Sequence, residues 1–146
     1  MIDILYIEDD INLVRVVGRL IRSRWQLTSA TTLAEGLTLL DQFIYDIVLL
    51  DLSLPDSHGE KTYRDIRTSG YEGPIIIITG YVDAKVATML ILDGAHDVLI
   101  KDDLGRLRGA IKRAMDHGRL RRPASKTVEL VTGIDWSALA KARGSG

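Results

Sequence analysis

Apolar residues occur along this chain in short unbroken runs, separated by longer stretches in which they recur every three or four residues. The runs cover Ile4–Ile7, Ile47–Leu50, Ile75–Ile78 and Val98–Ile100, with a weaker one at Gln26–Ala30. Continuous hydrophobicity, in place of strict alternation, is typical of parallel strands covered on both faces. The pattern therefore predicts five buried parallel strands.

The intervening stretches contain apolar stripes of helical period. The four clearest stripes consist of Ile11, Val14, Val17 and Ile21; Leu33, Leu37 and Leu40; Val86, Leu90, Ile91 and Leu92; and Leu104, Leu107, Ala110, Ile111, Ala114 and Met115. Strands that alternate with helices imply right-handed βαβ crossovers. We predict an α/β fold with a doubly wound, five-stranded parallel sheet, in the (βα)5 arrangement.

This pattern ends near residue 118, which divides the chain into a main domain, 1–118, and a tail, 119–146. Pro123 interrupts the last helix, because proline cannot continue the hydrogen-bond ladder. Asp135 or Ser137 is suited to cap a short helix near 135–143, and Gly144-Ser145-Gly146 resembles a linker. Met1 lies directly before the first strand, as we expect at a native N-terminus.

Charge is distributed unevenly between these two parts. The tail carries six Lys/Arg and two Asp/Glu, so residues 1–118 carry 13 and 18, a balance of −5. An acidic domain is poorly suited to neutralise phosphates, and we expect no nucleic-acid partner within this chain. No apolar run approaches the roughly 20 residues of a membrane span, and the chain has no cysteine, so we expect a cytoplasmic protein without a membrane partner.

Charged and hydroxyl side chains follow the predicted strands directly. Glu8 and Asp9 follow the first strand, Asp51 the third, Thr79 ends the fourth and Lys101 follows the fifth. Ligand sites of doubly wound sheets lie at the carboxyl ends of the strands. Carboxylate oxygens at this edge are suitable ligands for Mg²⁺. An aspartate beside the cation can act as a nucleophile toward phosphorus. Thr79 and Lys101 can then stabilise the negative charge on the phosphoryl oxygens.

These residues, at these spacings, resemble the receiver domain of two-component response regulators. The resemblance rests on Glu8-Asp9-Asp10, on Asp51 with Leu54-Pro55, and on Thr79-Gly80, Gly94-Ala95 and Lys101. It implies a flavodoxin-like, CheY-like fold with strand order 2-1-3-4-5. It also implies a phosphorelay signalling role, in which Asp51 takes a phosphoryl group from a sensor histidine kinase or phosphotransfer protein.

The same resemblance implies roles for the other residues. Glu8, Asp9 and Asp51 would hold Mg²⁺ together with the Ser53 backbone carbonyl, while Thr79 and Lys101 would bind the phosphoryl group. Such a domain promotes its own phosphorylation and dephosphorylation and is not an enzyme acting on a separate substrate. It signals to a downstream protein effector, or forms a homodimer, through the fourth helix, last strand and fifth helix, roughly residues 83–117.

Two positions depart from the family pattern. Asp102 follows Lys101 where the family usually has proline, and because a non-proline cis bond costs about 3 kcal/mol we expect a trans peptide. Val98 stands where the family usually has an aromatic switch residue. Activation must then use groups other than a moving ring.

Two alternative functions remain from the sequence. A metal-dependent phosphohydrolase would also use an aspartyl phosphate at Asp51, but the acid expected two residues later is Ser53. A non-phosphorylated adaptor with the same fold would not need the full set of Glu8, Asp9, Asp51, Thr79 and Lys101.

Overall fold

A computed structural model describes residues 1–21, 25–80 and 82–117, and Met1–Met115 forms a compact unit. Its strands are β1 (Ile2–Ile7), β2 (Trp25–Ala30), β3 (Ile47–Leu50), β4 (Ile75–Thr79) and β5 (Asp97–Ile100). Its helices are α1 (Ile11–Leu20), α2 (Leu33–Gln42), α3 (Glu60–Thr68), α4 (Ala84–Leu92) and α5, described over 107–117 after a 3-10 turn at Leu104–Arg106.

All five strands are parallel and lie in the order β2-β1-β3-β4-β5. The predicted fold class and strand order are therefore confirmed. The predicted tail, 119–146, with its short helix near 135–143, lies outside the described residues. Within those residues, no helix is both long enough and apolar enough to cross a membrane.

Two apolar clusters cover the two faces of the sheet. One packs β-sheet residues such as Leu5 and Leu50 against α2, α3 and α4, and the other packs residues such as Tyr6 and Ile78 against α1 and α5. The strand residues of β3 and β4 are all buried, as their continuous apolar runs predict. Gly36 lets α2 approach the sheet closely, since an added Cβ would collide with Cδ1 of Ile7.

Helices α3 and α4 differ from the simple apolar-stripe pattern. The chain between β3 and β4 has no long stripe, yet α3 forms and buries Thr62, Tyr63 and Ile66. The stripe of Val86, Leu90, Ile91 and Leu92 predicts a broader buried face for α4 than the structure has: only Leu90 is buried in this helix, and Leu92 is 80% exposed. The apolar surface of α4 therefore faces solvent over part of its length.

A small antiparallel hairpin, Ser53–Leu54 with Ser57–His58, joins β3 to α3. Its turn contains Asp56, whose carboxylate accepts hydrogen bonds from the backbone N–H groups of Leu33 (2.9 Å) and Ala34 (3.0 Å). The Thr32 hydroxyl accepts a third, from Glu35 N–H. The first turn of α2 is thus capped partly from the loop that follows Asp51. The hydrogen bonds from Ala34 and Leu33 lower the pKa of Asp56.

Candidate functional site

Strand register brings the predicted site residues to one edge of the sheet. Ile7 pairs with Leu50, so the residues that follow them, Glu8 and Asp51, lie on adjacent strands. Thr79 pairs with Ile100, and the next residue, Lys101, donates its backbone N–H to the Thr79 carbonyl at 2.9 Å. The parallel sheet thereby places polar residues 93 positions apart in the chain, from Glu8 to Lys101, at the same carboxyl edge.

Lys101 connects two buried carboxylates. Its Nζ lies 2.9 Å from Glu8 Oε1 and 3.1 Å from Asp51 Oδ2, while Glu8 and Asp51 are each 1% exposed. Burial lowers the pKa of Lys101, but the hydrogen bonds to Glu8 and Asp51 outweigh that effect, so its pKa is raised overall. The lysine therefore carries its positive charge at neutral pH and partly balances the acidic residues.

The carboxylates form a cluster with room for a cation. Glu8, Asp9 and Asp51 each offer an oxygen, and these oxygens lie within 4.8 Å of one another. The carboxylates of Asp9 and Asp51 alone already outnumber the single ammonium, so the cluster keeps a negative balance. Asp9 is exposed, so the cluster is open to solvent. Hard oxygen donors and a residual negative charge fit Mg²⁺, which prefers oxygen ligands and keeps several waters.

Glu8 is held by three donors. Its Oε1 accepts from Lys101 and from the Tyr6 hydroxyl at 3.3 Å, and its Oε2 accepts from the backbone N–H of Asp10 at 3.1 Å. Burial raises the pKa of Glu8 to about 7, against the lowering effect of the bonds from Lys101 and Asp10. Burial, and then the charges of Glu8 and Asp51, raise the pKa of Tyr6 far above its usual range, so its hydroxyl keeps its proton.

The remaining predicted residues lie beside this cluster. Thr79 is buried at the end of β4, and a Cβ added at Gly80 would meet nothing within 4 Å. Ser53 N–H donates to Asp51 Oδ1 at 3.2 Å, which fixes the loop that also carries the Ser53 carbonyl. Asp10 is turned toward α1, where its Oδ1 accepts from Asn12 N–H (2.9 Å) and Leu13 N–H (3.4 Å) and so caps the helix.

The structure shows the peptide bond before Asp102 and the surroundings of Val98, the two positions that depart from the family pattern. No cis peptide bond occurs among the described residues, so the bond between Lys101 and Asp102 is trans as predicted. Val98 is half-buried and borders a shallow hollow of about 280 Å³ between α4 and β5. The residues that line the hollow are Ala87, Thr88, Ile91, Leu92, Asp97 and Val98.

Two contacts near the site were not predicted. The apolar run Ile4–Ile7 predicts only a buried strand for Tyr6, so it does not indicate the hydrogen bond from Tyr6 to Glu8. Residues i and i+2 of a strand lie on the same face, so the spacing of Tyr6 and Glu8 was a usable signal. The cap that Asp56 supplies to α2 had no local signal, because donor and acceptor are 22 and 23 residues apart.

Comparison with known proteins agrees with this fold. The family model for the response regulator receiver domain matches residues 4–112. The chain therefore belongs to the family of response regulator receiver domains of two-component systems. The predicted family is confirmed, and the phosphohydrolase and adaptor alternatives are not favoured.

The chain spans only part of the length of the following relatives. It is 30% identical over 140 residues to the cell cycle transcriptional regulator CtrA of Caulobacter vibrioides, covering 90% of this chain and 58% of CtrA. It is 29% identical over 121 residues to the transcriptional regulatory protein ZraR of Klebsiella oxytoca, covering 82% of this chain and 27% of ZraR. The crystal structure of NtrX from Brucella abortus is similar with a TM-score of 0.75 and 26% identity, over 87% of this chain and 30% of NtrX.

Proposed function

We propose that Asp51 accepts a phosphoryl group from the phosphohistidine of a partner sensor histidine kinase or phosphotransfer protein. The observation that carries this proposal is the position of Asp51. Its carboxylate lies 3.1 Å from the Lys101 ammonium and within a cluster of oxygens suited to a divalent cation. An aspartate so placed has both a counter-charge and a cation site beside its nucleophilic oxygen.

In the proposed transfer, a carboxylate oxygen of Asp51 attacks phosphorus. The new O–P bond forms as the P–N bond to histidine breaks, and the departing imidazole nitrogen takes a proton from solvent. Negative charge on the phosphoryl oxygens is stabilised by the Lys101 ammonium and the Thr79 hydroxyl. Water later hydrolyses the acyl phosphate, which restores the Asp51 carboxylate and releases inorganic phosphate.

Glu8, Asp9 and Asp51, with the Ser53 backbone carbonyl, are the groups proposed to hold Mg²⁺. When bound, the cation supplies positive charge that offsets the like charges of carboxylates and phosphoryl oxygens. Asp9 is the exposed member of the carboxylates, so its oxygens would be accessible to a cation from solvent.

The proposed signal leaves through α4, β5 and α5, roughly residues 83–117. This surface includes exposed apolar side chains, among them Ile91 (43%), Leu92 (80%) and Ile100 (44%). Thr79 and Lys101, at the ends of β4 and β5, adjoin this part of the fold, so a phosphoryl group held by them can bias its packing. We propose a downstream protein effector or a second copy of the chain as the partner, and the cytoplasm as the location, supported by family membership.

Labelling with acetyl phosphate and Mg²⁺ tests the proposed acceptor. The parent protein should gain one phosphoryl group that is stable in acid and labile in base, as seen by mass spectrometry. Asp51→Asn should not be labelled, whereas Asp102→Asn, the same change at an exposed aspartate, should be labelled like the parent. Full labelling of Asp51→Asn would overturn the assignment, and many turnovers of a chromogenic phosphate ester would favour the hydrolase.

A further inference from the structure

Tyr6 is a buried residue whose polar end reaches the acidic cluster. It is 0% exposed, lies on β1 between β2 and β3, and packs in the apolar cluster beneath α1 and α5. Its hydroxyl nevertheless lies 3.3 Å from Glu8 Oε1. A side chain with no polar atom would fill the apolar cluster equally well, so the hydroxyl calls for a separate explanation.

We propose that Tyr6 is a positioning residue that orients the Glu8 carboxylate toward the divalent cation. Glutamate has one more rotatable bond than aspartate, so a cation ligand at this position needs more restraint. The Tyr6 ring is fixed by the packed core around it, so the hydrogen bond from its hydroxyl restricts the orientation of the Glu8 carboxylate. This inference rests on the proposed function, because it assumes that Glu8 is a cation ligand.

The donors around Glu8 indicate how this works. A carboxylate has about four lone-pair positions. Tyr6 and Lys101 both approach Oε1, and the Asp10 N–H approaches Oε2. Three donors occupy three of these lone-pair positions and leave about one for the cation. The direction of that remaining lone pair is fixed only while the three donors hold the carboxylate in place.

The three donors differ in what else they do. Lys101 also contacts Asp51 and belongs to the proposed phosphoryl site. The N–H of Asp10 is part of the backbone that leads into α1. Tyr6 is thus the donor to Glu8 that can be removed by deleting a single oxygen atom, through Tyr6→Phe.

Partners of metal ligands commonly contribute about 10- to 100-fold to metal affinity, and a hydrogen bond as long as 3.3 Å belongs at the lower end. Isothermal titration of Mg²⁺ into the Tyr6→Phe protein should therefore give a Kd about tenfold higher than for the parent. The labelling rate with acetyl phosphate should need more Mg²⁺ for half-saturation. At saturating Mg²⁺ the rate should return to the parent value, because Tyr6 does not touch the phosphoryl group.

Tyr63→Phe is the matched control. Tyr63 packs in the cluster on the other sheet face, and its hydroxyl donates to the Asp93 carbonyl at 3.0 Å and accepts from Arg67 Nε at 2.9 Å. Its removal therefore breaks at least as many hydrogen bonds, away from the acidic cluster. It should leave the Mg²⁺ Kd unchanged. A loss of affinity in Tyr63→Phe equal to that in Tyr6→Phe would indicate general destabilisation and overturn the positioning role.

A double-mutant cycle with Glu8→Gln separates the routes by which Tyr6 could act. If Tyr6 acts through Glu8, Tyr6→Phe should change the Mg²⁺ affinity of the Glu8→Gln protein by less than about twofold. The same tenfold loss in both backgrounds, or a Kd for Tyr6→Phe within about twofold of the parent, would overturn the inference. Absence of Mg²⁺ binding by the parent protein would instead overturn the proposed function itself.

Discussion

The backbone N–H of Lys101 donates a 2.9 Å hydrogen bond to the carbonyl oxygen of Thr79. The two residues proposed to bind the phosphoryl group are therefore tied to each other by main chain, independently of their side chains. Changing either side chain should leave the other in place. Their roles can thus be separated by substitution.

Thr79→Ala tests the switch hydroxyl. Asp51 should still be labelled by acetyl phosphate, because its carboxylate, Lys101 and the cation ligands are unchanged. The chemical-shift changes that a beryllofluoride mimic causes across residues 82–103 should be much smaller than in the parent. Thr38→Ala, which removes an exposed hydroxyl bonded to the Ala34 carbonyl in α2, should leave that response intact. A parental response in Thr79→Ala would mean that Thr79 is not the switch.

Lys101→Met should destabilise the domain measurably in the absence of cation. It leaves the buried carboxylates of Glu8 and Asp51 without their ammonium partner, and we expect a loss of about 1–3 kcal/mol in the free energy of unfolding at pH 7. Lys61→Met removes an exposed ion pair with Asp65 and should cost less than about 1 kcal/mol. Urea unfolding of both variants measures the difference, and equal losses would contradict a structural role for the buried pair.

Asp9→Ala should weaken Mg²⁺ binding, whereas Asp10→Ala should weaken the fold. Asp9 belongs to the carboxylate cluster, so its removal should weaken Mg²⁺ binding at least about tenfold. Asp10 caps α1, so its removal should lower stability by about 0.5–2 kcal/mol with little effect on Mg²⁺ affinity. Calorimetric titration and urea unfolding, run on both variants, check the two halves of this prediction; equal losses of affinity would show that the ligands are wrongly assigned.

Asp56→Ala should lower stability in a pH-dependent way. Its pKa is lowered in the folded protein by the N–H groups of Ala34 and Leu33. A lowered folded pKa means that the stabilisation is fully present above the unfolded value, about 3.9, and is lost as pH falls through the folded pKa. The urea midpoint of Asp56→Ala should therefore lie below that of the parent at pH 7, and the gap should narrow below pH of about 4. Glu72→Ala, which removes an exposed carboxylate, should have the same urea midpoint as the parent. A difference in midpoint between Asp56→Ala and the parent that does not change with pH would exclude a cap by the ionised carboxylate.

Leu92→Arg tests the proposed output surface. Leu92 is 80% exposed and borders the hollow beside Val98, so the charge should be tolerated by the fold but should block an apolar partner. Labelling of Asp51 should be unchanged, while self-association of the beryllofluoride form, measured by analytical ultracentrifugation, or binding to an effector should be lost. Ile44→Arg, at an equally exposed apolar residue in the loop after α2, is the control. If both variants retain association and effector binding, the surface lies elsewhere.

The sequence predicts most of the sheet because burial on both faces leaves a signature in each strand. β3 and β4 are continuous apolar runs, and their bounds differ little from the predicted ones. The turn from strand to helix after each carboxyl end then determines which residues gather at the edge. Glu8, Asp9, Asp51 and Lys101 were placed together for that reason, and the structure brings them together.

Other features depend on contacts that no local pattern encodes. Helix α3 has too few apolar residues to form a recognisable stripe and is secured by Tyr63 and Ile66 packing on the sheet. The exposure of Leu92 follows from the way α4 lies on the sheet, which hydrophobicity alone does not specify. The Asp56 cap joins segments that meet only after the sheet has formed.

Lys101 follows β5, and β5 is the edge strand of the sheet, whereas Glu8 and Asp51 follow β1 and β3, which have neighbours on both sides. Edge elements open locally at lower free energy than central ones. Brief detachment of β5 would withdraw the ammonium and leave the acidic residues on an intact sheet. Amide hydrogen exchange should accordingly be faster along β5 than along β1 and β3. Such local opening would give the phosphoryl site a lifetime shorter than that of the fold.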